Sequence, residues 1–159
     1  MAGNPLKRLL RDWLPELDFV LFQHGFADHG RDYRFVVQAT GTFELTLTHV
    51  VEMQYQTRVR DDVWPVSWDD RFIDYETWQA AGEPDGYVWG TNWSLAYPGL
   101  TMPDDDPAAA KWSERLAKTM YAMAIETDRF SLSMIFHDVR SRKISDDDSI
   151  IRRVIIPLR

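Results

Sequence analysis

The feature that most constrains the fold is an alternation of apolar and polar residues from Phe43 to about Arg58. Successive side chains of a β-strand point to opposite faces, so this pattern predicts a strand with one buried face and one solvated face. The apolar set is Phe43, Leu45, Leu47, His49, Val51, Met53 and Tyr55, and the opposite set is polar except at Val50. One wet face is typical of an antiparallel sheet. The stretch is long for a single strand, so we expect a bulge or bend within it.

Two helices are predicted from their start signals. Asn4 and Asp106 are good N-caps, and each precedes a proline at the first helical position, where the missing N–H costs nothing. The first helix carries an apolar stripe and ends at Pro15; the stripe is Leu6, Leu9, Leu10, Trp13 and Leu14. The second spans about 107–118, with Ala108, Trp112 and Leu116 on one face. We expect both helices to pack on the sheet.

Further strands are predicted at 17–22, 31–39, 120–127, 129–139 and 150–156. Alternation places Tyr33, Phe35, Val37 and Ala39 on one face of the strand at 31–39, and it places Phe130, Leu132, Met134 and Phe136 on the inward face of the strand at 129–139. The segments 24–30 and 141–149 are predicted as a connection and a polar loop, because glycine or charged residues interrupt the alternation there. Strands in runs with helices outside them indicate an α+β fold, mainly antiparallel, with long aromatic and acidic loops at 61–106. A chain of 159 residues is expected to form one globular domain, 1–159.

Composition excludes several functional classes. The chain has no cysteine, which rules out disulfides, cysteine-ligated zinc, iron–sulfur clusters and a thiol nucleophile, and which suits a reducing cytoplasm. Charged residues interrupt the N-terminal apolar residues, and no run of 18 apolar residues occurs, so we expect no signal peptide and no membrane partner. The net charge of −7 opposes binding to nucleic acid. No phosphate-binding glycine loop or serine elbow occurs, and no cofactor is expected.

The charge is concentrated between Asp61 and Asp106, where eleven acidic residues accompany one arginine, a balance of −10. The same region holds nine aromatic residues between Trp64 and Tyr97, more than a flexible linker would carry. Its candidate site residues are Trp68, Asp69, Asp70, Asp74, Trp78, Glu83, Asp85, Trp89 and Trp93. Three interpretations remain open: half-buried rings with acids that cap turns, a face that binds a partner, or a cleft with paired catalytic carboxylates.

The histidines allow a second hypothesis. His24, Asp28 and His29 surround a glycine-containing turn and have the ligand types of a zinc site. The alternative is that these are turn and core histidines held by hydrogen bonds, since the spacing matches no helical His pair. His49 falls on the apolar face of the long strand, and His137 lies beside Asp138.

Several longer phrases resemble one known family. They are HGF-x4-RDY at 24–33, SWDDRFIDY at 67–75, AAGEPDGYVWGTNWSLAYPGL at 80–100, KWSERL at 111–116 and IET-x7-IFHDVR at 125–140. Together they resemble the YxiG-like family of bacterial proteins over about residues 17–142. That family has no established activity or catalytic residues, so the resemblance assigns no residue a role. It does imply a setting near contact-dependent toxin systems, where small acidic immunity proteins are common.

We therefore expect a cytoplasmic binding protein without a cofactor, of the immunity type, that blocks a basic toxin domain by direct occlusion. The acidic segment would attract the partner, and exposed aromatic residues would anchor it. The alternative is an enzyme that acts on a carbohydrate or small molecule with paired carboxylates in a tryptophan-lined cleft. The sequence does not indicate an oligomeric state.

Overall fold

Two antiparallel sheets that pack face to face form the body of the described chain. The structure is a computed structural model and describes residues 3–13, 19–57, 75–82, 95–96, 99–127 and 130–145. Its helices are α1 (Pro5–Trp13), α2 (Tyr75–Ala80) and α3 (Pro107–Leu116), with a 3-10 turn at Asp28–Gly30. Its strands are β1 (Val20–Phe26), β2 (Tyr33–Gln38), β3 (Thr42–Thr48), β4 (Glu52–Thr57), β5 (Leu95–Ala96), β6 (Gly99–Thr101), β7 (Tyr121–Glu126), β8 (Phe130–Phe136) and β9 (Asp138–Lys143).

The strands form a five-stranded sheet in the order β5-β1-β2-β3-β9 and a four-stranded sheet in the order β4-β8-β7-β6. Every described pairing is antiparallel. The α+β class predicted from the sequence is therefore confirmed.

A two-stranded ribbon connects the two sheets. β3 pairs with β9 in the first sheet, and their continuations β4 and β8 pair in the second. The ribbon bends where β3 leads into β4 at His49 and where β8 leads into β9 at His137. His49 adopts a positive φ of 52°, a conformation that turns the chain out of the strand. The bend expected within the long alternating stretch is thus confirmed.

The core lies between the sheets and holds the residues on their inner faces. It includes Leu45 and Leu47 of β3 and Leu132, Met134 and Phe136 of β8. The inward face of β2, predicted from alternation, is also confirmed by the burial of Tyr33, Phe35 and Val37. Leu6 and Leu10 of α1 close one side of this core. Removal of this apolar surface from water is the main favourable term for folding.

Several elements differ from the sequence prediction. The single strand predicted at 129–139 is two strands, β8 and β9, and the region 61–106, predicted as loops, contains α2, β5 and β6. The segment 24–30 begins as strand, because β1 continues to Phe26 and its last residues pair with β2. The segment 141–149 likewise begins as strand, because β9 extends to Lys143 and pairs with β3 over its whole length. In both segments, backbone hydrogen bonds to a neighbouring strand make the first residues part of a strand. Local composition does not indicate these hydrogen bonds. The strand predicted at 150–156 lies outside the described residues.

The helix caps follow the predicted pattern. The Asn4 side chain accepts a hydrogen bond from the Leu6 N–H at 3.0 Å, and Asp106 accepts one from the Ala109 N–H at 2.9 Å. Ala117, with a φ of 49°, ends α3 in the left-handed conformation. Leu116, predicted on the packed face of α3, is instead 43% exposed. It is the last residue of that helix. No described helix has the length and apolar character needed to cross a membrane.

The inner face of β8 should dominate stability. We expect Phe136→Ala to lower the free energy of unfolding by about 3–5 kcal/mol, because it opens a cavity at a fully buried site. Urea denaturation at neutral pH measures the loss. Leu116→Ala, which truncates an exposed leucine, is the matched control and should change stability by less than about 0.5 kcal/mol. Equal losses in both variants would contradict the assignment of the core.

Candidate functional site

Most of the predicted aromatic and acidic site lies outside the described residues. This applies to Trp68, Asp69, Asp70, Asp74, Glu83, Asp85, Trp89 and Trp93. The backbone of Trp78 is placed in α2. The hypothesis that this segment forms a binding face or a carboxylate cleft therefore stays a prediction.

The described residues contain a different aromatic cluster, at the end of the two sheets where β1 and β4 finish and β2 and β8 begin. Its members are His24 and Phe26 of β1, Tyr33 and Phe35 of β2, Tyr55 of β4 and Phe130 of β8. We call this cluster the aromatic mouth. His24 links the two sheets there, with its ring centroid 4.7 Å from that of Phe130.

A β-bulge in β1 turns His24 toward the mouth. The register with β2 shifts between Leu21, which pairs with Val37, and Gln23, which pairs with Val36. Leu21 and His24 are three residues apart, so regular alternation would place them on opposite faces. The extra residue at the bulge brings both to the inner face, because a bulge re-aims the side chains that follow it. Alternation alone therefore misassigns the residues of β1 from Gln23 onward.

His24 and Tyr33 form a hydrogen bond inside the mouth. The His24 Nδ1 and the Tyr33 hydroxyl oxygen are 2.7 Å apart. Burial lowers the pKa of His24 below its ordinary value of 6.5, so the ring is neutral at pH 7. Burial, with a further contribution from the nearby Tyr55 phenol, raises the pKa of Tyr33 to about 12. We assign the phenol O–H as the donor and Nδ1 as the acceptor, which leaves the imidazole proton on Nε2.

Two rings of the mouth are exposed to solvent although other rings support them. Phe26 is 50% exposed and Tyr55 is 54% exposed. Phe26 meets Tyr33 edge-on at a centroid distance of 5.1 Å, and Tyr55 stacks on Phe130 at 5.5 Å. Such ring pairs contribute about 0.5–1.5 kcal/mol beyond area burial, so they limit the rotation of the exposed rings. The mouth thus presents pre-positioned aromatic surface.

The chemistry of the mouth suits binding better than proton transfer. A phenol with a pKa near 12 stays protonated throughout the physiological range, so Tyr33 is a poor base. It holds the imidazole in one orientation. What the mouth presents at the surface is the aromatic rings of Phe26 and Tyr55, which are typical of an anchoring contact.

The structure places the histidines of the zinc hypothesis in different surroundings. His24 faces the aromatic mouth and bonds Tyr33. His29 lies in the 3-10 turn with a φ of 72° and is exposed. The side chain of Asp28 lies outside the part of the structure that is described. Among the described residues, no group of three or more His, Cys, Asp or Glu side chains is arranged to hold a metal ion.

Two shallow grooves lie on the outer face of the four-stranded sheet. They have volumes of about 420 and 250 Å³ and share Gln54, Ala124 and Ser133. Two carboxylates at the smaller groove have structural partners: Glu52 accepts from the Trp112 indole N–H at 2.8 Å, and Asp106 caps α3. These described grooves therefore offer no facing pair of unengaged carboxylates of the kind that the enzyme alternative requires.

The Tyr33 hydroxyl should be needed for stability. We expect Tyr33→Phe to lower the free energy of unfolding by about 1–3 kcal/mol, because it leaves the half-buried Nδ1 of His24 without its partner. Urea denaturation at pH 7.5 measures this. Tyr55→Phe is the matched control, since the Tyr55 hydroxyl forms no hydrogen bond within the described residues, and it should be near neutral. A Tyr33→Phe variant as stable as that control would disprove the role of the bond.

Comparison with known proteins supports the resemblance noted in the sequence. A search of curated proteins and a search of solved structures each found no match. The sequence does match the profile of YxiG-like proteins over residues 2–153, nearly its whole length. The chain belongs to the YxiG-like protein family.

Proposed function

We propose that this protein is a binding protein of the immunity type, which blocks a basic partner protein by direct occlusion. The observation that carries the proposal is the aromatic mouth, with two well-supported rings exposed at one end of the sheets. We further propose that it acts in the cytoplasm, since a chain without cysteine cannot form the disulfides that stabilise many proteins of oxidising compartments.

The exposed rings have the properties of interface anchors. Aromatic residues dominate the binding energy of protein interfaces because they bury a large area and lose little conformational entropy. Stacking on Phe130 and edge contact with Tyr33 restrict Tyr55 and Phe26 before any partner arrives. Binding therefore requires little further ordering of these side chains, which favours affinity.

The negative charge of the chain supports the proposal that its partner is basic. The chain has a net charge of −7, and the acidic segment starts at Asp61, four residues after β4 ends at Thr57. Tyr55 of the aromatic mouth lies in that same strand. A field of this sign accelerates association with a cationic surface and repels polyanions. The toxin-associated setting that the family resemblance implies agrees with this choice of partner.

Replacement of the exposed aromatic side chains by alanine tests the proposal once a partner has been identified. The protein should capture a basic protein encoded beside its own gene when the two are co-expressed and purified together. Tyr55→Ala and Phe26→Ala should then each weaken affinity roughly 30-fold, the loss typical of an interface anchor. Calorimetric titration measures the dissociation constants.

Leu116→Ala provides the control, because it removes a comparably exposed apolar side chain from α3. It should leave affinity within about twofold. Replacement of Asp69, Asp70 and Asp74 by Asn should slow association and reduce its dependence on salt. The proposal fails if no basic protein is captured, or if both mouth variants bind as tightly as the Leu116→Ala variant.

A further inference from the structure

The bend that joins the two sheets contains two histidine side chains in contact. The rings of His49 and His137 lie nearly perpendicular, at 80°, with centroids 5.7 Å apart. The His137 Nδ1 is 2.7 Å from the Thr119 carbonyl oxygen, which only accepts, so that nitrogen carries a proton. The Nδ1 of His49 is shielded from solvent and has no hydrogen-bond partner within the described part of the chain. We call this pair the histidine corner.

Hydrogen bonds from several elements converge on the backbone of the histidine corner. The Asp32 carboxylate accepts from the His49 N–H at 3.0 Å and fixes this residue in its left-handed conformation. The Arg31 carbonyl accepts from the Val50 N–H at 2.7 Å, and the Thr48 carbonyl accepts from the His137 N–H at 2.9 Å. The corner therefore ties the ribbon to the turn between β1 and β2.

The charged groups around His49 are mostly cationic. Arg31 and Asp32 face it from the turn before β2, Lys118 from the segment after α3, and His137 from the β8–β9 junction, where Asp138 is the next residue. The Asp138 carboxylate accepts from the Val139 N–H at 2.8 Å. A proton on His49 would thus meet two permanent positive charges and a second imidazole, with Asp32 as the opposing charge.

We propose that the histidine corner is a pH-sensitive hinge, which holds the two sheets in register while the His49 ring is neutral and loosens when that ring is protonated. The geometry supports this coupling because both strands of the ribbon change sheet at these two residues. A proton on His49 is repelled by the charges of Lys118 and Arg31, and the shielded Nδ1 has no hydrogen-bond partner within the described residues. The loosening is local, since the apolar core between the sheets is not charged.

The direction of the pH effect follows from the pKa of His49. Desolvation, followed by Lys118, Arg31 and His137, lowers this pKa below 6.5, whereas Asp32 raises it. A pKa that is lower in the folded state than in the unfolded chain means that acid favours unfolding. The stabilising contribution is complete above pH 6.5 and is lost as the pH falls through the folded-state pKa. His24, whose pKa is also lowered, adds a separate effect of the same sign.

His49→Asn tests the hinge with little disturbance of the backbone. Asparagine tolerates positive φ and does not titrate, so the variant should fold normally at pH 7.5. Between pH 7.5 and pH 5.0, the melting temperature should fall by about 2–4 °C less in His49→Asn than in the wild type. The control is His29→Asn, which replaces an exposed histidine of φ 72° outside the corner and should keep the wild-type pH dependence.

Hydrogen exchange locates the change. At pH 5.0, protection factors of the Val50 and His137 amides, corrected for intrinsic exchange, should fall at least tenfold relative to pH 7.5 in the wild type. In His49→Asn, the protection factors of the Val50 and His137 amides should be the same at both pH values. The Phe35 amide in β2 should be protected at both pH values in both proteins. Equal acid sensitivity of His49→Asn and the wild type, or equal loss of protection at Phe35, overturns the proposal. An NMR titration of the wild type decides independently of any variant, because a His49 pKa at or above 6.5 also overturns it.

Discussion

Two strands that pair along their length must change sheet together, and this constraint organises the structure. β3–β4 and β8–β9 remain hydrogen-bonded partners in both sheets, so the bend in one strand must face the bend in the other. His49 and His137 occupy those positions. Once the ribbon turns, the inner faces of the sheets meet, and the apolar side chains between them leave water. Helices α1 and α3 then pack against the strands of these sheets.

Both notable sites of the described chain lie where regular strand geometry is interrupted. The bulge after Leu21 directs His24 to the aromatic mouth, and the positive φ of His49 forms the histidine corner. Departures from ideal geometry cost free energy and persist only where surrounding contacts compensate. The Tyr33 hydroxyl supplies that contact for His24, and the Asp32 carboxylate supplies it for the backbone of His49. Irregular backbone therefore marks the positions of both His24 and His49.

Sequence reasoning succeeded and failed for identifiable physical reasons. It located the inner faces of β2, β3 and β8, because burial of one face imposes a two-residue period. It missed most of β9, whose Arg, Ser and Lys side chains are exposed and whose strand character comes from hydrogen bonds to β3. It also treated His24 and Phe26 as part of a connection, because a glycine separates them and no local signal reveals the bulge. The anchors named in the acidic segment remain predictions, and the aromatic mouth was not foreseen.

The sequence alone determined the class of the fold, the starts of α1 and α3, the need for a bend in the long alternating stretch and the acidic character of the chain. Those properties depend on residues that are close in sequence or on composition, so the linear sequence is enough to specify them. Tertiary structure alone decided which rings meet at the mouth and that His49 lies against His137, residues separated by almost ninety positions. Strand register sets such encounters, and register depends on the simultaneous pairing and burial of every strand in both sheets.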